Sequence, residues 1–350
     1  MASSGHSSRT NEHRASEAEA CFSSLIAANK SSGVPTDMPV VFLSHGAGPC
    51  FFIEGFWKSS SDPGIGIGSP TAKFLASLGD ALPRPAAILC ISAHYESYHH
   101  IKVGSNPSPS MIYDYNGWPD HTYELQYPAP GDPVLASQVA KLLRDGGVPC
   151  EEDPQNGFDH GVFVPLLLMY ADASIPVVPL SIHCSYAGEF HFRIGELLQP
   201  LRRQGVLILG SGAASHTCSI RSLRPRWHDY LTDTLCAVPA GDRRRRLTTY
   251  RKETLCRMAH PRPDHLMPAL VAAGAAGRLP GYKVHARVAR LDTSSFVFSP
   301  AIVAAKGREP SRQNESSLFE PVAATAPLEA EDLGTAAVEP AEARGMCRLI

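Results

Sequence analysis

The sequence has little that would mark it as a secreted, membrane-bound or nucleic-acid-binding chain. Its nine cysteines are odd in number, and no pair has C-x-x-C spacing. A zinc ribbon, a thioredoxin-type motif and a disulfide framework are therefore all unexpected. The N-terminal stretch MASSGHSSRTNEHR has no apolar h-region, and Glu12, Glu17 and Glu19 argue against a transit peptide. No apolar run is long enough to span a bilayer. Formal net charge is only −2, so nothing points to nucleic acid or anionic lipid as the main partner. The one basic run, Arg243 to Arg246, lies in a helical pattern and reads as a solvated helix face or a helix start. A reducing, cytoplasmic compartment is expected, with the thiols free.

What is present is an ordinary globular core between two biased ends. Of the 350 residues, 43% are hydrophobic and 19% charged, enough apolar material for one large domain. Residues 1–36 are rich in Ser, Ala and charge and are expected to be a disordered leader. Residues 305–350 are rich in Ala, Glu and Pro and are expected to be a disordered tail. The tail ends in Cys347-Arg348-Leu349-Ile350, which only loosely fits a prenylation box.

Residues 37–304 alternate continuous apolar runs with helical patterns. The runs PVVFLS (39–44), AAILCIS (86–92), PVVPLSI (176–182) and VLILG (206–210) suit strands buried on both faces. Helix-type periodicity falls at 71–81, 133–145 and 189–203, and further strands are expected at 282–292 and 295–299. The expectation is a single α/β domain with a central, mostly parallel or mixed sheet flanked by helices.

Three of the apolar runs lead into a small-residue turn that carries a histidine. They read VVFLSHGAGP with His45, AILCISAHYE with His94, and VLILGSGAASH with His216. In open α/β sheets ligands gather beyond the carboxyl ends of the strands. One such histidine would more often be a hydrogen-bonded loop residue than a ligand. Three on parallel strands point to a metal, because neutral imidazole is the commonest metal-ligating side chain. Two further histidines sit in suggestive settings. His160 in GFDHGVFVPL follows Asp159, which is placed to orient it or to raise its basicity, as a general acid or base requires. His265 in AHPRPDHLMPAL lies just inside a helix start marked by Pro263 and Asp264, and is preferred over the nearby His260. The loop MIYDYNGWPDHTYELQYPAPG, with His121 and Tyr123, is dense in aromatics and suits a wall over a flat substrate.

These segments, with LQYPAPGDPVLASQVAKLL, IPVVPLSIH and SSFVF, run in order from about residue 39 to 299. Together they resemble the class III extradiol ring-cleaving dioxygenases, in particular the 4,5-DOPA extradiol dioxygenase branch. The resemblance implies a mononuclear non-heme metal held by His45, His94 and His265. It implies His216 as the acid/base of ring cleavage, close enough to count also as a candidate ligand, and His160 as a second active-site histidine that touches substrate. The implied reaction opens a DOPA-like or caffeate-like catechol with O₂ at Fe²⁺, giving a muconic semialdehyde. An all-histidine ligand set is neutral and also suits Zn²⁺, which is expected in the site of some preparations. The sequence departs from the family at Thr217, where Asn is usual, at Ala47-Gly48-Pro49, and in a longer FWKSSSDPGIGIGSPTA stretch. The runner-up is a zinc hydrolase of an ester or amide on the same scaffold. A non-enzymatic binding protein on this scaffold would be expected to lack part of the histidine set.

Overall fold

The computed structural model describes residues 11–31, 37–60, 62–216, 224–286 and 292–305. The strands are β1 (Val40–Ser44), β2 (Ala87–Ser97), β3 (Ile101–Gly104), β4 (Cys150–Asp153), β5 (Val177–His183), β6 (Val206–Gly212), β7 (Gly281–His285) and β8 (Ser295–Phe298). They form one eight-stranded sheet in the order β4-β3-β5-β2-β6-β1-β8-β7. Its centre is parallel: β2 pairs with β5 and β6, and β6 with β1. Antiparallel contacts carry it outward, through β3 on one side and β8 then β7 on the other.

The helices are α1 (Asn11–Ser31), α2 (Pro70–Ala81), α3 (Pro133–Asp145), α4 (His160–Met169), α5 (Gly188–Leu198), α6 (Arg224–Cys236), α7 (Ala240–Thr248), α8 (Thr254–Ala259), α9 (Met267–Ala275) and α10 (Pro300–Ala305). Alternate strand residues face opposite layers. Val40, Phe42, Leu89 and Ile91 pack with α3, α5 and α9, while Val41, Leu43, Ile88 and Cys90 pack with α1, α2 and α4. Covered on both faces, each central strand must be apolar throughout, which is why these strands read as unbroken hydrophobic runs. Among the described residues, no helix is long and apolar enough to cross a membrane.

Two expectations need correction. Residues 11–31, expected to be disordered, form α1, which lies on β7, α2 and α10. Its buried face is Ala18, Leu25 and Ala28, with Phe22 edge-on to Phe74 at 5.4 Å. Those positions have helical spacing, but two are alanine, so the apolar signal is faint. Arg14 ties the helix down through two bonds to Asp229, of 3.0 and 2.8 Å. The second correction concerns the basic run. Arg243 is buried, donating to the carbonyls of Leu279 (2.6 Å) and Gly277, and so closes the turn that follows α9. Of the strand expected over 282–292, Gly281–His285 is β7, and residues 287–291 lie outside the described residues. The expected tail from 306 onward, with the Cys347 terminus, lies outside the described residues, as does Thr217.

Candidate active site

β1, β2 and β6 run parallel, so the residues after them reach the same edge of the sheet. His45 follows the last residue of β1, and Gly46 turns the chain away at once with a φ of +87° that side chains disfavour. On β2 the pairing with β5 shifts register between Ile91 and Glu96, and His94 sits in that irregular stretch. Irregularities of this kind re-aim a side chain at the end of a ladder. His265 lies in the 3-10 turn Asp264–Leu266 that leads into α9. Its carbonyl accepts from the Ala213 N–H at 3.1 Å and lies so close to Gly212 that a Cβ there would collide with it. A glycine at the end of β6 thus lets His265 approach the sheet.

These three rings share one point. Nε2 of His94 lies 3.2 Å from Nε2 of His45 and 3.2 Å from Nε2 of His265. Nitrogens bound to one ion at about 2.0–2.1 Å, with bond angles between octahedral and tetrahedral, lie roughly 2.9–3.4 Å apart. The spacing fits a shared metal ion.

The outer nitrogens explain why the inner ones face each other. The Ser211 hydroxyl donates to the Gly161 carbonyl at 2.5 Å, so toward His45 Nδ1, at 2.9 Å, it must accept. That places the His45 proton on Nδ1 and leaves Nε2 a bare lone pair. Asp114 Oδ2 lies 3.5 Å from His94 Nδ1, and Asp264 Oδ1 lies 3.0 Å from His265 Nδ1. The Asp264 contact has ion-pair distance but not hydrogen-bond direction, since Nδ1 of His265 has no directed partner. Burial, followed by the neighbouring imidazoles, holds His45 well below the usual histidine range. His94 is lowered in the same way by burial, His160 and His265, despite opposing carboxylates. Neutral imidazole is the form that binds metal.

Two more histidines flank the ring. His160 opens α4, its ring 4.0 Å from that of His94, centre to centre. Its Nδ1 and its backbone N–H both point to Asp114 Oδ1, at 2.8 and 3.0 Å. Burial works to lower its pKa, but Asp114 and Asp159 outweigh burial and raise it. The sequence had suggested Asp159 as the orienting group. Instead Asp159 accepts from the Ser92 hydroxyl at 2.6 Å, and burial with the nearby Asp114 charge pushes its carboxyl up to about 6. His216 stacks on His265 with centroids 4.1 Å apart, its Nδ1 3.9 Å from Asp264 Oδ1. Burial and His265 push its pKa down to about 4. Asp264 in turn is braced by Arg262 at 3.5 Å, itself bound to Glu96 and to the Tyr186 hydroxyl.

The aromatic loop behaves less uniformly. Tyr115 stands edge-on to His160 at 5.9 Å, and Trp118 packs closely on Gly48, three residues beyond His45. Tyr123 is one ring further back, 5.2 Å from Tyr115. His121 is exposed, with Nε2 3.1 Å from the Phe52 carbonyl, and belongs to the loop's outer side. Phe56, from the lengthened stretch, lies 5.2 Å from Trp118. His260 is buried away from the ring, bonded to the Ala214 carbonyl at 3.1 Å and edge-on to Trp227. Sequence reasoning had passed over Asp114, Ser211 and Tyr115. Only Asp114 and Tyr115 had a visible signal, as part of the aromatic loop, while Ser211 is one serine in a buried strand.

The arrangement has counterparts among known proteins. Residues 60–298 match the family described as the catalytic LigB subunit of aromatic ring-opening dioxygenase. A 4,5-DOPA dioxygenase extradiol from Beta vulgaris is 37% identical over 236 residues, covering 64% of this chain and 87% of that protein. Dioxygenase tasH from Hapsidospora irregularis is 34% identical over 264 residues, covering 68% and 78%. A crystal structure of an uncharacterized Escherichia coli protein superposes with a TM-score of 0.59 at 28% identity, covering 75% of this chain and all of that one.

Proposed function

The chain belongs to the LigB family of aromatic ring-opening dioxygenases, and from that premise we propose that His45, His94 and His265 hold its metal while His160 and His216 move the protons of catechol cleavage. The enzyme is a metal-dependent dioxygenase that opens a catechol ring with O₂. We assign Fe²⁺ as the working metal and a DOPA-like or caffeate-like catechol as the substrate, the DOPA reading resting on the names of the relatives. Cys50, Cys90, Cys150, Cys184, Cys236 and Cys256 are free thiols, which supports a reducing, cytoplasmic setting.

When bound, the ion supplies a redox-capable centre with open positions for catecholate and O₂. The protein's own groups do the rest. His160 keeps its Nδ1 proton on Asp114, so Nε2 is free to take a proton from a catechol hydroxyl. Its raised pKa makes it the stronger base of the two flanking histidines. His216, held near 4, is neutral at rest and gives up readily any proton it receives during turnover, the behaviour wanted of an acid late in the reaction. Tyr115 and Trp118, with Tyr123 behind, form an apolar side against which a flat ring can lie, while His121 serves at most the outer end of the substrate. Both oxygen atoms of O₂ remain in the semialdehyde, so no further reductant is needed.

The observation that carries this reading is the convergence of the Nε2 atoms of His45 and His265 on that of His94, each at 3.2 Å. Anaerobic reconstitution with Fe²⁺ or Zn²⁺, followed by oxygen uptake with DOPA or caffeic acid, tests it. The iron form should consume O₂ and produce a yellow semialdehyde, and the zinc form should do neither. Full turnover by a His216→Ala variant would remove that residue from the acid/base role.

A further inference from the structure

Asp114 touches two histidines with different duties. One oxygen, Oδ1, receives both the ring and the backbone N–H of His160. The other, Oδ2, faces Nδ1 of His94 at 3.5 Å. The rings of His94 and His160 are themselves only 4.0 Å apart. We propose that Asp114 is a positioning residue that sets both tautomers at once, so that one carboxylate links the hold on the metal to the readiness of the substrate base. This rests on the proposed roles of His94 and His160.

The argument is one of donors and acceptors. An ionised carboxylate only accepts. His160 therefore presents Nδ1–H to Asp114 Oδ1, and the Oδ2 charge 3.5 Å from His94 Nδ1 favours the same tautomer there, which keeps both Nε2 lone pairs on the inner side. No neutral side chain of the same shape can do this. An asparagine offers one acceptor and one donor. The His160 backbone N–H, 3.0 Å from Oδ1, fixes which end is which, so the carbonyl would stay on His160 and the amide NH₂ would turn to His94. Donating to His94 Nδ1 would force that ring's proton onto Nε2, where the metal binds. Asp114 also adds negative charge beside a neutral ligand set, and Asp264 does the same beside His265 and His216. An all-histidine site in this protein thus carries the carboxylates one layer out.

The two halves of the link can be separated with Asp114→Asn, His160→Ala and the double variant, in the full-length chain. The first measurement is Zn²⁺ affinity by competition with a chromogenic chelator. Outer-layer partners of metal-bound histidine are worth roughly 10–100-fold in affinity. Asp114→Asn should lose that much whether or not His160 is present, and His160→Ala alone should bind zinc like the wild type. The absorption bands of the Co²⁺ form should shift in Asp114→Asn and not in His160→Ala. Next is kcat of the iron form. Asp114→Asn should lower it in the parent and have little further effect on kcat of the fully metal-loaded enzyme once His160 is gone. The thermal transition of the metal-free Asp114→Asn protein checks that it folds, and His160→Ala gives the kcat half of the cycle independently. Wild-type zinc affinity and Co²⁺ spectrum in Asp114→Asn, or kcat losses that simply multiply, would overturn the link. Failure of the underlying reading looks different: His94→Ala would then bind zinc as tightly as the wild type.

Discussion

Replacing Ser211 with alanine removes one hydroxyl and should weaken the proposed metal site from behind. Ser211 and His45 are both fully buried. The hydroxyl donates to Gly161 O and accepts from His45 Nδ1, so its loss leaves two buried polar groups without partners. Each such group costs about 1–3 kcal/mol. The metal-free protein should therefore be less stable by about 2–4 kcal/mol, somewhat under the sum because the ring can turn. Without an acceptor at Nδ1, the His45 proton gains nothing by staying there, and the Nε2–H form that cannot bind metal becomes populated. A loss of roughly 10–100-fold in affinity is expected, or about 1.4–2.8 kcal/mol. Zinc competition measures the second effect and urea denaturation of the metal-free protein the first. A protein that is destabilised yet binds zinc as before would show that Ser211 supports the strand and does not set the His45 tautomer.

Two further outcomes concern the fold. Leu25 lies on the buried face of α1, and Leu25→Ala should cost about 2–3 kcal/mol in urea denaturation, toward the low end for a core leucine because the helix lies at the surface. No change would mean that the N-terminal helix is not docked. Acid should also destabilise the metal-free protein below about pH 6.5. His191 accepts from the His183 N–H and bonds the Ala187 carbonyl, so it is buried neutral, and burial pushes His191, His260 and His285 down to about 4, 3 and 4. The unfolded chain takes up those protons first. Stability is complete above about pH 6.5 and is lost as pH falls toward 4, by up to about 1.4 kcal/mol per pH unit per group. His160, Asp159, Glu96 and Glu196, whose pKa values are raised, oppose the trend, while His45, His94, His183 and His216, lowered by burial, reinforce it. Equal urea midpoints at pH 7.5 and pH 5 would contradict this.

How far the site could be read from the chain depended on each residue's local context. His45, His94 and His216 announced themselves because an apolar strand followed by a small-residue turn is a local pattern, and parallel pairing brings such turns to one edge. His265 needed only a helix start. Asp114 and Ser211 had no such marker. Asp114 acts on His94 and His160, 20 and 46 positions away, and Ser211 acts on His45 across 166. Asp159 is the converse case: adjacency suggested an orienting contact that its rotamer gives to Ser92 instead, while its charge does raise the His160 pKa. In α1 the buried face is largely alanine, too weak a signal until β7 and α10 supply the surface it covers.

The order of residues alone determined the α/β layering, the parallel centre of the sheet and the set of histidines able to meet there. Those follow from periodicities of a few residues, which the backbone imposes locally. Only the tertiary structure decided which nitrogen of each ring faces inward, which carboxylate stands behind it, and that the N-terminal segment folds onto the sheet. These are choices between partners distant in the chain, and they are made by burial, where a polar group must find whichever acceptor the packing brings within about 3 Å.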